Sequence, residues 1–258
     1  MMTSKTVWIT GASSGIGRAT ALLLAQHGYR LVLCGRRKER LLELDEMIQK
    51  NSPTDTLLLS FDLQNQKETE AAIEGIRETW KVADVLLNNA GLAKGFSPIN
   101  EGDLTHWETM IDTNVKGLLY ITRLLSPWMV AQQSGHIINI SSTAGKEVYP
   151  NGNVYCATKF AVEALTKSMR MDLYKHNIKV SSVSPGHVEN TEFALVRYDG
   201  DADKAKIYED FSPLRAVDIA ETILFVLSRP AHVNIQDILI TSTQQASATL
   251  INRNGRQD

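Results

Sequence analysis

Tyr155 and Lys159 stand four residues apart in a segment with helical spacing, so their side chains share one helix face. A tyrosine hydroxyl titrates near pH ~10, and a neighbouring ammonium favours its phenolate, which makes it a usable base. Ser142 lies 13 residues before Tyr155, just past the apolar run His136–Ser141. A hydroxyl there can donate to a carbonyl oxygen that gains negative charge as hydride arrives. The three groups suit hydride chemistry between a hydroxyl and a carbonyl. With seven tyrosines in the chain, a Tyr-x-x-x-Lys pair arises easily by chance, so its surroundings decide its meaning.

The strongest of those surroundings is Thr10-Gly11-Ala12-Ser13-Ser14-Gly15-Ile16-Gly17, placed between a first apolar run and a first helical pattern. Glycines allow a sharp turn and let a phosphate approach backbone N–H groups, and a helix N-terminus favours negative charge. In that strand-to-helix context the motif reads as a dinucleotide site. A site for NAD expects an acid about 20 residues on, at the end of the second strand. This chain has Cys34-Gly35-Arg36-Arg37 there. Guanidinium forks suit a phosphate, so Arg36 and Arg37 point to the 2′-phosphate of NADP(H).

The remaining chain supplies a scaffold. Seven strand candidates, Thr6–Thr10, Tyr29–Cys34, Thr56–Phe61, Val85–Asn88, His136–Ser141, Lys179–Ser184 and Asp237–Thr241, alternate with helical patterns. The helices are expected at Gly15–His27, Arg40–Gln49, Asn65–Trp80, Asp103–Gln132 and Val154–Lys175. Runs such as Leu31-Val32-Leu33 are apolar on both faces, as strands of a helix-covered parallel sheet are. The expectation is an α/β, doubly wound Rossmann fold with a seven-stranded parallel sheet flanked by helices, in a single domain spanning residues 1–258. Residues 189–210 carry no strand signal, and a substrate lid is expected around 187–215.

Composition narrows the classes. With 27 basic and 29 acidic residues among 258, the formal net charge is −2, which favours no nucleic-acid partner. No apolar run reaches the ~18 residues of a membrane span, and no set of histidines suggests a metal. Two cysteines, Cys34 and Cys156, suggest no disulfide framework, and a cytoplasmic protein is the expectation.

Taken together, Thr10-Gly11-x-x-x-Gly15-Ile16-Gly17, Asp62-Leu63, Asn88-Asn89-Ala90-Gly91, Asn114, Ser142, Tyr155-x-x-x-Lys159 and Pro185-Gly186 resemble the short-chain dehydrogenase/reductase family over nearly the whole chain. Singly, Asn88-Asn89 reads as a strand-ending turn, Asp62 as a cap and Asn114 as helix surface. Their joint order makes the functional reading. The resemblance implies that Tyr155 is the general acid/base, that Lys159 lowers its pKa and holds the nicotinamide ribose, that Ser142 orients the carbonyl, and that Asn114 holds a relay water. It places Asp62 and Leu63 near the adenine and Asn89, Ala90 and Gly91 beside the cofactor. Ser13, Ser14, Pro185, Gly186, Val188 and Thr191 join the cofactor site.

The distal sequence is similar to the family's NADP-dependent 3-hydroxy acid dehydrogenases. The similarity lies in Thr191-Glu192-Phe193, Val196-Arg197-Tyr198, residues 228–235, Ile238-Leu239-Ile240 and Thr243-Gln244-Gln245-Ala246. It implies a small hydroxy acid or carbonyl substrate. A carboxylate needs a cation or backbone N–H groups; Arg197 is the candidate, with His187, Lys94 and Lys146 as weaker ones. A carbonyl reductase for uncharged ketones is the alternative, and a non-catalytic NADP sensor a further one. Family members are commonly homotetramers, and Asp103–Gln132 with Val154–Lys175 are the expected pairing helices.

Overall fold

The computed structural model describes residues 5–256. In chain order it comprises β1 (Thr6–Thr10), α1 (Gly15–Gln26), β2 (Arg30–Gly35), α2 (Lys38–Asn51), β3 (Thr56–Ser60), α3 (Gln66–Glu74), β4 (Val85–Asn88), α4 (Leu104–Ile111), α5 (Leu118–Ala131), β5 (Gly135–Ile140), α6 (Asn153–Leu173), β6 (Ile178–Pro185), β7 (Val188–Glu189), α7 (Phe193–Arg197), β8 (Leu214–Arg215), α8 (Ala216–Leu227) and β9 (Asp237–Ile240). Seven strands form one parallel sheet, as the apolar runs predict, in the order β3-β2-β1-β4-β5-β6-β9.

Alternation along each strand divides the interior into two cores. Val7, Ile9, Leu31 and Leu33 pack with Leu24, Leu41, Ile219 and Ile223 on the face covered by α1, α2 and α8. Trp8, Val32, Leu86 and Ile137 face the other way, toward Ile73, Ile121, Leu125 and Val162 of α3, α5 and α6. Strand order reverses between β1 and β4. A crevice therefore opens beyond their carboxyl ends, where doubly wound sheets bind ligands. Thr10 and Asn88, which close those strands, mark its floor.

Three expectations need correction. The helix foreseen at Asn65–Trp80 ends at Glu74, followed by a single 3-10 turn at Glu78–Trp80. Asp103–Gln132 is not one regular helix: Asp112–Gly117 adopts wide π-type spacing between α4 and α5, a local bulge that often marks functional sites. The stretch 189–210, expected to carry no strand, is entered by one at Glu189, the end of β7, which pairs in parallel with β8 just beyond the stretch. The two bonded strands are only two residues each, too short for alternation to reveal them.

Candidate active site

The first wall of the crevice is backbone. Gly11 takes φ +66°, open to glycine at little cost, and an added Cβ would lie 3.0 Å from the Ala90 Cα. At Gly17 an added Cβ would lie 2.4 Å from the Gly11 carbonyl oxygen, so the turn and helix α1 touch without a side chain between them. Asn89 Nδ2 donates to the Thr10 carbonyl at 2.8 Å, and the N–H groups of Asn89 and Ala90 donate to Thr10 Oγ1 at 3.0 Å. The Asn88-Asn89-Ala90-Gly91 stretch is thus the support of the glycine-rich turn. Ser14 caps α1 without a side-chain bond of its own to the helix N–H groups. Amides left open at a helix N-terminus favour an anion.

At the rim, Arg36 and Arg37 follow β2. Arg36 lies 3.7 Å from Asp62, whose Oδ1 accepts the Gln64 N–H. Arg37 pairs with both oxygens of Glu192 at 2.9 and 2.7 Å and donates to Ser13 Oγ at 3.2 Å. That bond from Arg37 holds the Glu192 carboxyl below its usual range.

Helix α6 carries Tyr155 and Lys159 on one buried face, with the ammonium 5.9 Å from the phenol ring centroid. Lys159 Nζ donates to the Ile140 carbonyl at 2.9 Å, and burial pulls its ammonium down to about 8. Burial also pushes the Tyr155 hydroxyl well above its usual range, and a hydrogen bond with Ser142 opposes that shift. Ser142 sits just past β5 and accepts the Ala144 N–H at 3.1 Å. Asn114 lies in the π-type bulge, buried, with Nδ2 donating to the Leu92 carbonyl at 2.8 Å and to Thr158 at 3.0 Å. Its Oδ1 accepts the Leu92 N–H at 2.9 Å. An added Cβ at Gly91 would meet Asn114 Oδ1 at 3.3 Å and Lys159 Nζ at 3.4 Å, so glycine keeps the space between them open.

A cavity of about 760 Å³ joins these groups. It is bordered by nearly every residue singled out in the sequence, including Gly15, Ile16, Leu63, Pro185, Gly186, His187, Val188 and Thr191. Gly17 and Asn114 are absent from its lining and act from behind it. Lys94 pairs with Asp199, and Lys146 with Glu163 and Asp237; neither borders the cavity. Cys156 is buried, and burial pushes its thiol up.

Of the cations weighed for a carboxylate, Arg197, like His187, does border the cavity. Its guanidinium is buried against the rings of Phe96, Tyr149 and Tyr155 at 4.7, 5.5 and 5.8 Å. Its Nε and Nη2 have no hydrogen-bond partner among the described residues. A buried guanidinium with open donors is costly unless an anion completes it. His187 stands between Tyr208 and Phe211, and burial lowers its pKa, which keeps it neutral. Sequence reasoning missed the cavity's aromatic box, with Phe96 and Tyr149 against Arg197 and Tyr208 against His187, and the tail residues Ala248, Thr249 and Arg253 that also line the cavity. The box comes from three separate segments with no shared spacing. For the tail, the paired glutamines Gln244-Gln245 were the available signal, since both prove buried.

Residues 5–199 match the short chain dehydrogenase family. The NADP-dependent 3-hydroxy acid dehydrogenase of Salmonella typhi is 41% identical over 245 residues, covering 95% of this chain and 97% of that protein. Sulfoacetaldehyde reductase 2 of Chromohalobacter salexigens is 41% identical over 253 residues, covering 97% and 99%. The closed form of serine dehydrogenase complexed with NADP+ superposes with a TM-score of 0.90 at 39% identity, covering 95% of this chain and 98% of that one. The geometry of the crevice and the extent of these matches lead to one assignment: the chain belongs to the short chain dehydrogenase family.

Proposed function

We propose that this dehydrogenase uses NADP(H) to interconvert the hydroxyl and carbonyl of small 3-hydroxy acids, of the serine, allo-threonine and 3-hydroxypropionate type. The observation that carries the substrate class is Arg197, buried beside Tyr155 with two unpartnered donors. A carboxylate held there would lie beside Tyr155, and in a 3-hydroxy acid the hydroxyl-bearing carbon is two bonds from the carboxylate carbon, short enough to be offered to the same tyrosine. The names of the relatives agree with this reading: a 3-hydroxy acid dehydrogenase, a serine dehydrogenase and a sulfoacetaldehyde reductase each name a small substrate that carries a carboxylate or a sulfonate.

The residues present fit a phosphorylated dinucleotide. The side-chain-free contact at Gly11 and Gly17, the open amides of α1 and the Arg36-Arg37 pair would hold its phosphates, with Asp62 and Leu63 toward the adenine. When bound, the nicotinamide supplies the hydride acceptor or donor. In oxidation, the Tyr155 phenolate takes the substrate hydroxyl proton while Ser142 donates to the same oxygen. In reduction, Tyr155 returns that proton and Ser142 steadies the developing alkoxide. Lys159 favours the phenolate against the burial that disfavours it, and Asn114 holds the relay behind Lys159.

Exposed Ile111, Leu119 and Phe160, on and around the expected pairing helices, support a homotetramer, and two unlinked cysteines agree with a cytoplasmic setting. The test is the initial rate of NADP+ reduction with 3-hydroxypropionate and serine, beside their methyl esters and 2-hydroxyethanesulfonate. The acids should react and the esters fail. Arg197→Ala should raise KM for the acids about 10- to 100-fold, the worth of a charge-assisted bond. Activity on the esters alone would leave a general carbonyl reductase, and a preference for the sulfonate would move the substrate class.

A further inference from the structure

We infer that Glu192 of the lid competes with the 2′-phosphate of the cofactor for Arg37, and so sets how strongly the protein separates NADP from NAD. The inference rests on the NADP reading above. Its basis is the pair itself. Both terminal nitrogens of Arg37 are taken by the two oxygens of Glu192, at 2.9 and 2.7 Å. A guanidinium fork matches one carboxylate or one phosphate face in this way, and the two ligands claim the same donors. Arg36 differs: its acid, Asp62, approaches only to 3.7 Å.

The competition is possible because the contact is built but not locked. Arg37 and Glu192 are each about two-fifths exposed, so water and a ligand can reach both. The pair joins residues 155 positions apart, the N-cap of α2 and the start of the lid. Thr191, the neighbour of Glu192, rests on the glycine-rich turn: its Cγ2 lies 3.2 Å from where a Gly15 Cβ would be. Glu192 is therefore held at the cofactor rim by the lid backbone, whatever its side chain does. A dinucleotide without a 2′-phosphate brings no rival anion and leaves the pair intact. A dinucleotide with one must share Arg37 and lie beside a carboxylate. Removing the Glu192 charge should then help NADP alone.

The experiment measures Kd for NADP+ and NAD+ by isothermal titration calorimetry on the full chain, for the parent, Glu192→Gln, Arg37→Ala and the double variant. For Glu192→Gln, the Kd for NADP+ should fall about fivefold, the upper worth of an exposed ion pair, and that for NAD+ should move less than twofold. In the Arg37→Ala background, Glu192→Gln should tighten NADP+ binding less than twofold, because the shared donors are gone and only the repulsion of an exposed neighbouring charge is relieved. An unchanged or weaker NADP+ affinity in Glu192→Gln overturns the inference, as does equal tightening of both dinucleotides. A parent that prefers NADP+ while Glu192→Gln changes nothing sinks this inference alone. A parent that binds NAD+ more tightly overturns the cofactor reading and the inference with it.

Discussion

The two walls of the crevice are held by different means. The cofactor wall is close contact around the backbone: Gly17 lies on the Gly11 carbonyl, and the buried Thr10 hydroxyl and the Asn89 amide each bond the backbone of the neighbouring segment. The wall we propose for the substrate, the stretch 187–215 with the tail, is tied by side chains. Arg253 reaches Asp210 at 2.5 Å, Arg256 pairs with Glu189, Lys94 pairs with Asp199 at 2.7 Å, and Gln245 accepts the His187 N–H at 2.9 Å. Exposed ion pairs contribute little each, whereas a close backbone contact tolerates no added atom. A wall that must bind the same dinucleotide in every turnover can be rigid. One that must open and match a substrate is better built from weak, replaceable ties.

The sharpest way to break that contrast is Gly17→Ala. Its Cβ would lie 2.4 Å from the Gly11 oxygen and 2.5 Å from Asn89 Nδ2, which is already bonded to the Thr10 carbonyl. Neither neighbour can yield without moving the phosphate turn. Urea denaturation should show a loss of about 3 kcal/mol, and calorimetry should show NADP+ binding weakened at least about tenfold. A variant that is as stable as the parent would mean the cofactor wall is as adaptable as the lid.

The same contrast explains what the sequence revealed. The glycine-rich turn, the Tyr155–Lys159 pair and the seven strands were legible because each depends on a short spacing or a short apolar run, whereas the order of the strands in the sheet was not. Arg197 was legible as a charge but not as the centre of a cluster of rings, because Phe96 and Tyr149 meet it only in three dimensions. The overlong helix at Asn65–Trp80 ignored Gly75, which ends α3 as its C-cap. The π-type bulge carrying Asn114 needs no proline or glycine to start it, so apolar spacing runs through it unbroken. Glu192 stood in plain view, yet its pairing with Arg37 depends on the lid folding back over 155 residues.

Lys159, where the walls meet, allows a smaller test with a definite sign. Burial pulls its ammonium to about 8, whereas an unfolded lysine titrates near pH ~10.4. Below pH 8 the folded protein carries a charge its surroundings disfavour, and the destabilisation is fully present. Between these values the unfolded chain binds more protons, so stability rises with pH and the penalty is gone above the unfolded pKa. Lys159→Met should be about 2 kcal/mol more stable than the parent at pH 7, after the lost bond to the Ile140 carbonyl is discounted. The advantage should vanish by pH ~10.5. Denaturant midpoints of both proteins at the two pH values decide it. A difference independent of pH would show that packing, and not the buried charge, separates them.

The smallest effect belongs to Gln245→Ala, on the substrate wall. The Gln245 side chain is buried, accepts the His187 N–H, and donates to the Ser247 carbonyl at 3.1 Å, which shapes the tail hairpin. Its Oε1 lies 2.1 Å from where a Gly186 Cβ would stand, so the amide fills the gap that the glycine leaves at the end of β6. Truncation frees the His187 N–H beside an open cavity, where water can replace the lost acceptor. Global stability should therefore fall by only about 1 kcal/mol. Local opening should show more: limited proteolysis within residues 187–215 should speed up, and KM for the hydroxy acid should rise a fewfold. NADP+ affinity should stay within twofold of the parent, because among the described residues no hydrogen bond or ion pair joins the glycine-rich turn to the tail. Loss of dinucleotide binding in this variant would mean that the two walls move as one, and that the weak ties of the lid also hold the cofactor.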